Sequence, residues 1–176
     1  MTFLDQAIAA IRRIEDGEVV DLTNRLMRHP WKRYRKRSLD SIRQVVIHHS
    51  ATHVGSPDAF ARYHVQENGW PGIGYHFVIS QDGDIWQTNA LDTASYHVPK
   101  YNRVSVGICL IGNFMEAKPN ILQKAAAASA IAHVWQQLGR KVDVKGHRDF
   151  NKPQCPGKNV DYEELARDAE KYFELS

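Results

Sequence analysis

Val45-Val46-Ile47-His48-His49-Ser50-Ala51-Thr52 decides the fold. The β-branched run reads as a buried strand, and the cluster that follows sets imidazole and hydroxyl groups at its C-terminal end. Downstream, Ser56-Pro57 pairs an N-cap with a first helical position, and Gly69 offers a terminating residue. A helix between them covers one sheet face. Upstream, Phe3, Leu4, Ala7, Ile8, Ile11 and Ile14 recur at helical spacing, so residues 3–15 form an amphipathic helix.

Beyond this nucleus the signals alternate. Tyr75–Ser80 and Ile85–Thr88 flank Gln81-Asp82-Gly83-Asp84 and read as a hairpin, because Asp-Gly supplies the positive φ angles of a tight turn. Val104–Ile111 is a third strand, Pro119–Leu138 an Ala-rich helix stopped by Gly139, and Val142–Lys145 a further short strand. Asp161 and Glu164 form the capping pattern of a C-terminal helix. Strands separated by helices, with one hairpin, specify an α/β (α+β) fold in which a central mixed β-sheet is flanked by helices. Residues 1–40 read as an N-terminal helix and basic arm, and residues 41–176 as the domain proper.

A chain of 176 residues with 43% hydrophobic side chains buries its apolar surface around a single core. With 24% charged and 10% aromatic residues it is an ordinary globular sequence, which excludes disorder, collagen and coiled coils. The net charge of +3 leans toward anionic partners. Its densest part, Lys32-Arg33-Tyr34-Arg35-Lys36-Arg37, reads as a solvated loop or as a polyanion patch. Two cysteines cannot build a disulfide framework, and Cys109 lies inside an apolar strand pattern where a thiol behaves as a small buried side chain. The N-terminus lacks a basic n-region and no apolar run approaches the ~20 residues of a membrane span. Synthesis in the cytoplasm without a signal peptide is therefore expected.

The chemistry concentrates in Gly146-His147-Arg148-Asp149 and Cys155-Pro156-Gly157. Cys155 follows His147 by eight residues, so a loop can return the thiolate toward the imidazole. A third ligand must come from elsewhere, and His48 at the end of the buried strand is the natural candidate. Two imidazoles, a thiolate and one open position make the stoichiometry of a catalytic zinc. His49 points to the opposite side of the strand, so both histidines cannot readily bind one ion.

The ordered set Val46-Ile47-His48-His49-Ser50-Ala51-Thr52, Gly74-Tyr75-His76-Phe77-Val78-Ile79, Asp82-Gly83, Ser105-Val106-Gly107-Ile108, Gly112-Asn113-Phe114, Gly146-His147-Arg148-Asp149 and Cys155-Pro156-Gly157 resembles the zinc N-acetylmuramoyl-L-alanine amidases. These include phage lysozyme-type amidases and the related peptidoglycan-recognition proteins. The resemblance implies Zn²⁺ on His48, His147 and Cys155, with Tyr75 beside the metal as a catalytic phenol. It places His97 and Asn102 as substrate contacts in the groove. Many active members carry Lys or Thr two residues before the metal-binding Cys, where this chain has Pro153; Lys152, one residue earlier, is the candidate substitute. The implied reaction is hydrolysis of the amide between N-acetylmuramic acid and L-alanine of peptidoglycan, and the alternative is a noncatalytic peptidoglycan-binding recognition module. The expected partner is peptidoglycan or muropeptides rather than nucleic acid or membrane, and a monomer is the working expectation.

Overall fold

In the computed structural model, which describes residues 2–174, the chain runs through α1 (Phe3–Glu15), β1 (Val20–Asp21), β2 (Arg35–Lys36), β3 (Gln44–His49), α2 (Pro57–Gln66), β4 (Phe77–Ile79), β5 (Ile85–Gln87), β6 (Thr93–Ala94), β7 (Ser105–Leu110), α3 (Ile121–Leu138), β8 (Asp143–Gly146) and α4 (Tyr162–Glu174). Met1, Leu175 and Ser176, at the ends of the two segments read from the sequence, lie outside the described residues.

Local chemistry sets most of these boundaries. Ser56 caps α2 by accepting a hydrogen bond from the Ala59 amide at 3.2 Å. The helix ends at Gln66, short of Gly69, whose φ of +65° turns the chain afterwards. Asn120, not Pro119, opens α3, because its carboxamide caps the Gln123 amide at 2.8 Å while Gln123 returns the bond to Asn120. The hairpin also differs in detail. Only Gly83 has a positive φ, +83°, and the loop from Ser80 to Asp84 is held open by Ser80 Oγ, which accepts from the amides of Asp82 and Asp84.

The main sheet has the order β1-β5-β4-β7-β3-β8. Strands β3, β4, β7 and β8 are mutually parallel, and β5 runs against β4. One face carries Val45, Ile47, Phe77, Ile79, Val106, Ile108 and Leu110, which pack with Ile14 of α1, the alanines of α3, and Leu165 and Ala169 of α4. Side chains on alternate positions of β3 and β7 point to the opposite face, so Val46, His48, Gly107 and Cys109 share it with Val78. A smaller cluster of Leu26, Ala61, Ile73, Val78 and Ile111 covers part of that second face.

Residues 2–40 are built into this architecture. Helix α1 packs on α3, β1 adds to the sheet edge with Val20 opposite Trp86, and β2 pairs with β6. Five side chains of the basic run bond to the rest of the chain or to the arm itself. Lys32 reaches the Gly69 carbonyl, Arg33 the His29 carbonyl, Tyr34 the Gly72 carbonyl and Lys36 the Asp92 carboxylate. Arg37 is only 6% exposed and donates to the carbonyls of Leu91, Asn102 and Ser105. The run thus acts largely as a set of staples. Among the described residues no helix is long and apolar enough to cross a membrane.

Candidate metal centre

The centre lies at the carboxyl ends of the parallel strands, where open α/β sheets bind their ligands. Ile47 of β3 is paired with Gly146 of β8, so His48 and His147 leave adjacent strands one step beyond the same register position. Cys155 completes the group: one ligand atom from each of the three residues lies within 4.8 Å of the others. Cys155 Sγ is 3.8 Å from His48 Nδ1, and the two imidazole centroids are 4.5 Å apart.

The Gly146-His147-Arg148-Asp149 motif divides its labour. Asp149 accepts from the Gly146 amide at 3.0 Å and from the Tyr162 hydroxyl at 3.0 Å, which fixes the turn out of β8. Arg148 donates to the carbonyls of Gly157 and Val160, bracing the loop that carries Cys155. His147 is left to face the cluster, and its Nε2 is buried without a hydrogen-bond partner. Such an orphaned atom calls for an explanation, and a metal ion supplies one.

Electrostatics agree with a metal-binding role. Burial holds His48 well below the usual imidazole range and lowers His147 to about 4, so both rings are neutral at pH 7 with lone pairs to offer. Burial also pushes the Cys155 thiol up to about 11, opposed by the His49 backbone N–H, Arg148 and Lys152. Two neutral imidazoles and a thiol that a cation would deprotonate fit zinc with three protein ligands and a free coordination position.

Tyr75 stands beside this group, its ring 5.3 Å from that of His48. The ring is half-buried, its hydroxyl lies close to Cys109, and desolvation raises its pKa well above the usual phenol range. Lys152 is exposed; its carbonyl accepts from the Cys155 amide at 2.9 Å, and its charge bears on both His147 and Cys155.

His97 is buried rather than open to a groove, and Asn102 is half-buried. His97 is 6% exposed, with Nδ1 3.0 Å from His48 Nε2 and Nε2 3.3 Å from Ser105 Oγ. Asn102 Oδ1 accepts from the amides of His97 and Val98 and so shapes that loop. His49 turns to the other face of β3, where Nδ1 accepts from the Phe114 amide.

Several residues around the centre carried no sequence signal for such a place. Arg37 and Ser105 act mainly through backbone carbonyls far along the chain, and His76 is buried between the Thr93 carbonyl and the Gly107 amide. Cys109 looked like strand filler, yet it meets the Tyr75 hydroxyl. His76, Ser105 and Gly107 stood in the quoted motifs, but nothing there assigned them a role. A Cβ at Gly107 would lie 2.8 Å from His97 Cγ, so a glycine is needed to seat the imidazole on β7.

Comparison with known proteins finds amidases and recognition proteins of one family. The sequence pattern described as N-acetylmuramoyl-L-alanine amidase matches residues 38–158. Peptidoglycan recognition protein 1 of Bos taurus is 32% identical over 127 residues, spanning 66% of this chain and 67% of that protein. Among solved structures, N-acetylmuramoyl-L-alanine amidase LysC from Clostridium intestinale superimposes with a TM-score of 0.72 at 25% identity, over 87% of this chain and 97% of that one. Peptidoglycan recognition protein-LE, in complex with tracheal cytotoxin, a monomeric diaminopimelic acid-type peptidoglycan, gives 0.73 at 25% identity over 85% and 92%.

Proposed function

This chain belongs to the N-acetylmuramoyl-L-alanine amidase family, and from that premise we propose that it is a zinc hydrolase that cleaves the amide between N-acetylmuramic acid and L-alanine in peptidoglycan or its fragments. The observation that carries this reading is the convergence of His48, His147 and Cys155, with His147 Nε2 buried and unpartnered. A zinc ion held by these three residues would polarise the scissile carbonyl and make a water molecule acidic enough to attack near neutral pH.

The protein's own groups supply the rest. Tyr75, a phenol kept neutral by burial, is the donor for the oxyanion that develops on the substrate carbonyl oxygen. Lys152 brings a positive charge to the rim in the place where Pro153 leaves no side-chain donor. Asn102, with Oδ1 tied to the loop, keeps its amide nitrogen for a stem-peptide carbonyl.

A second reading, a noncatalytic peptidoglycan-binding module, is favoured by Pro153 and by the recognition proteins among the relatives. The complete ligand set argues against it, since a binder does not need a metal-activated water. Zinc content and release of new L-alanine amino termini from purified peptidoglycan, compared with Cys155→Ala, decide between them. The hydrolase reading expects one zinc per chain and release that disappears in the variant. Retention of wall fragments with no new termini from the wild type establishes the binding module instead.

A further inference from the structure

We propose that His97 is a positioning residue that selects, through a one-directional chain of hydrogen bonds, which nitrogen of His48 is offered to the metal. The proposal rests on the zinc reading above for its consequence, and on hydrogen-bond geometry alone for its mechanism.

The chain starts at a group that can only accept. The Tyr101 carbonyl takes the hydroxyl proton of Ser105 at 2.8 Å. Ser105 Oγ then faces His97 Nε2 at 3.3 Å with lone pairs only, and the Ser105 carbonyl stands at 3.3 Å from the same nitrogen. Two acceptors oblige His97 Nε2 to carry the ring proton. Its Nδ1 is therefore bare. That atom lies 3.0 Å from His48 Nε2, which must donate to it. His48 Nδ1 keeps its lone pair, and this is the atom 3.8 Å from Cys155 Sγ. In the other tautomer a proton on Nδ1 would point into the ligand cluster.

Two further features hold the chain in place. Arg37 donates to the same Ser105 carbonyl at 2.6 Å. Gly107 leaves room for the His97 ring, which a Cβ at that position would push aside. Partners of this kind, which orient a ligand without touching the metal, typically change metal affinity by about 10- to 100-fold when removed.

Two substitutions separate hydrogen bonding from packing. His97→Asn puts an acceptor oxygen close to the place of Nδ1, whereas His97→Leu fills similar space and accepts nothing. Zinc affinity, measured by competition with a chromogenic chelator on the full chain, is expected to be nearly unchanged in His97→Asn and about 10- to 100-fold weaker in His97→Leu. Nitrogen-15 NMR of the metal-free protein reports the tautomer directly: His48 carries its proton on Nε2 in the wild type and in His97→Asn. Equal zinc affinity in a folded His97→Leu, or a proton on Nδ1 of His48 in the metal-free wild type, overturns the proposal. If His97→Leu does not fold, the tautomers of the wild type and His97→Asn still decide. Failure of the wild type to bind zinc removes the amidase reading and leaves the tautomer result standing.

Discussion

Of the three proposed ligands, Cys155 is the one that would have to change its protonation state to receive a cation. Burial raises its thiol to about 11, while His48 and His147 are already neutral at pH 7. Zinc uptake at pH 7 should therefore release about one proton per ion, and apparent affinity should rise with pH through the neutral range. Isothermal titration in buffers of different ionisation enthalpy counts that proton; a count near zero would mean that the thiol is already ionised. Gly107→Ala is a second test at this scale. The added methyl meets His97 at 2.8 Å and should weaken zinc binding with little change in overall fold, as seen by chelator competition and circular dichroism. Residues such as His147 and Cys155 could be read from their spacing in sequence, because one loop connects them. His48 was singled out by resemblance, and Arg37 could not be found at all, since its partners are backbone carbonyls of Leu91, Asn102 and Ser105 that any sequence could provide.

Helix α1 shows how an element with two apolar stripes is resolved by packing. Ala10 and Ile14 are buried against the domain, while Leu4, Ile8 and Ile11 remain exposed. Periodicity alone found the helix but could not tell which stripe faces inward, because both repeat at helical spacing. Ile14, 2% exposed, should cost about 2–5 kcal/mol when replaced by alanine. Ile8→Ala, at 42% exposure, should stay within about 0.5 kcal/mol. Urea unfolding of the two variants checks the orientation, and equal losses would refute it. Caps were equally legible where a side chain closes the turn, as with Ser56 and Asp161, since the bond spans three residues. The Ser80–Asp84 loop was not, because its geometry depends on a serine hydroxyl that bonds two amides at once.

At the scale of the whole molecule, burial of neutral histidines makes stability depend on pH. His64 is lowered to about 4 and His76 lies well below the usual range, both by burial, so the unfolded chain binds more protons than the folded one below about 6.5. Their contribution is complete above that pH. It falls as pH drops, by about 1.4 kcal/mol per unit for each group, down to about 4 for His64. Urea unfolding of the metal-free protein between pH 7.5 and 4.5, in the range given by those shifts, should trace this decline; a flat profile would show that these rings are accessible to protons in the fold. The α/β layering was readable from the alternation of strand and helix signals. The integration of residues 2–40 was not, because β1 and β2 are each two residues long and leave no periodic pattern.

The pairing of Ile47 with Gly146 sets two of the three proposed ligands at the ends of neighbouring strands, His48 within β3 and His147 just past β8, while the third rides on the loop that follows. An ion bound as proposed would work as a latch between a rigid sheet and a surface segment, closing a ring of chain from residue 147 to residue 155. Withdrawing it should open the latch and leave the hinge intact: amides near 151–158 exchange faster with solvent, and those of β3 and β7 keep their protection.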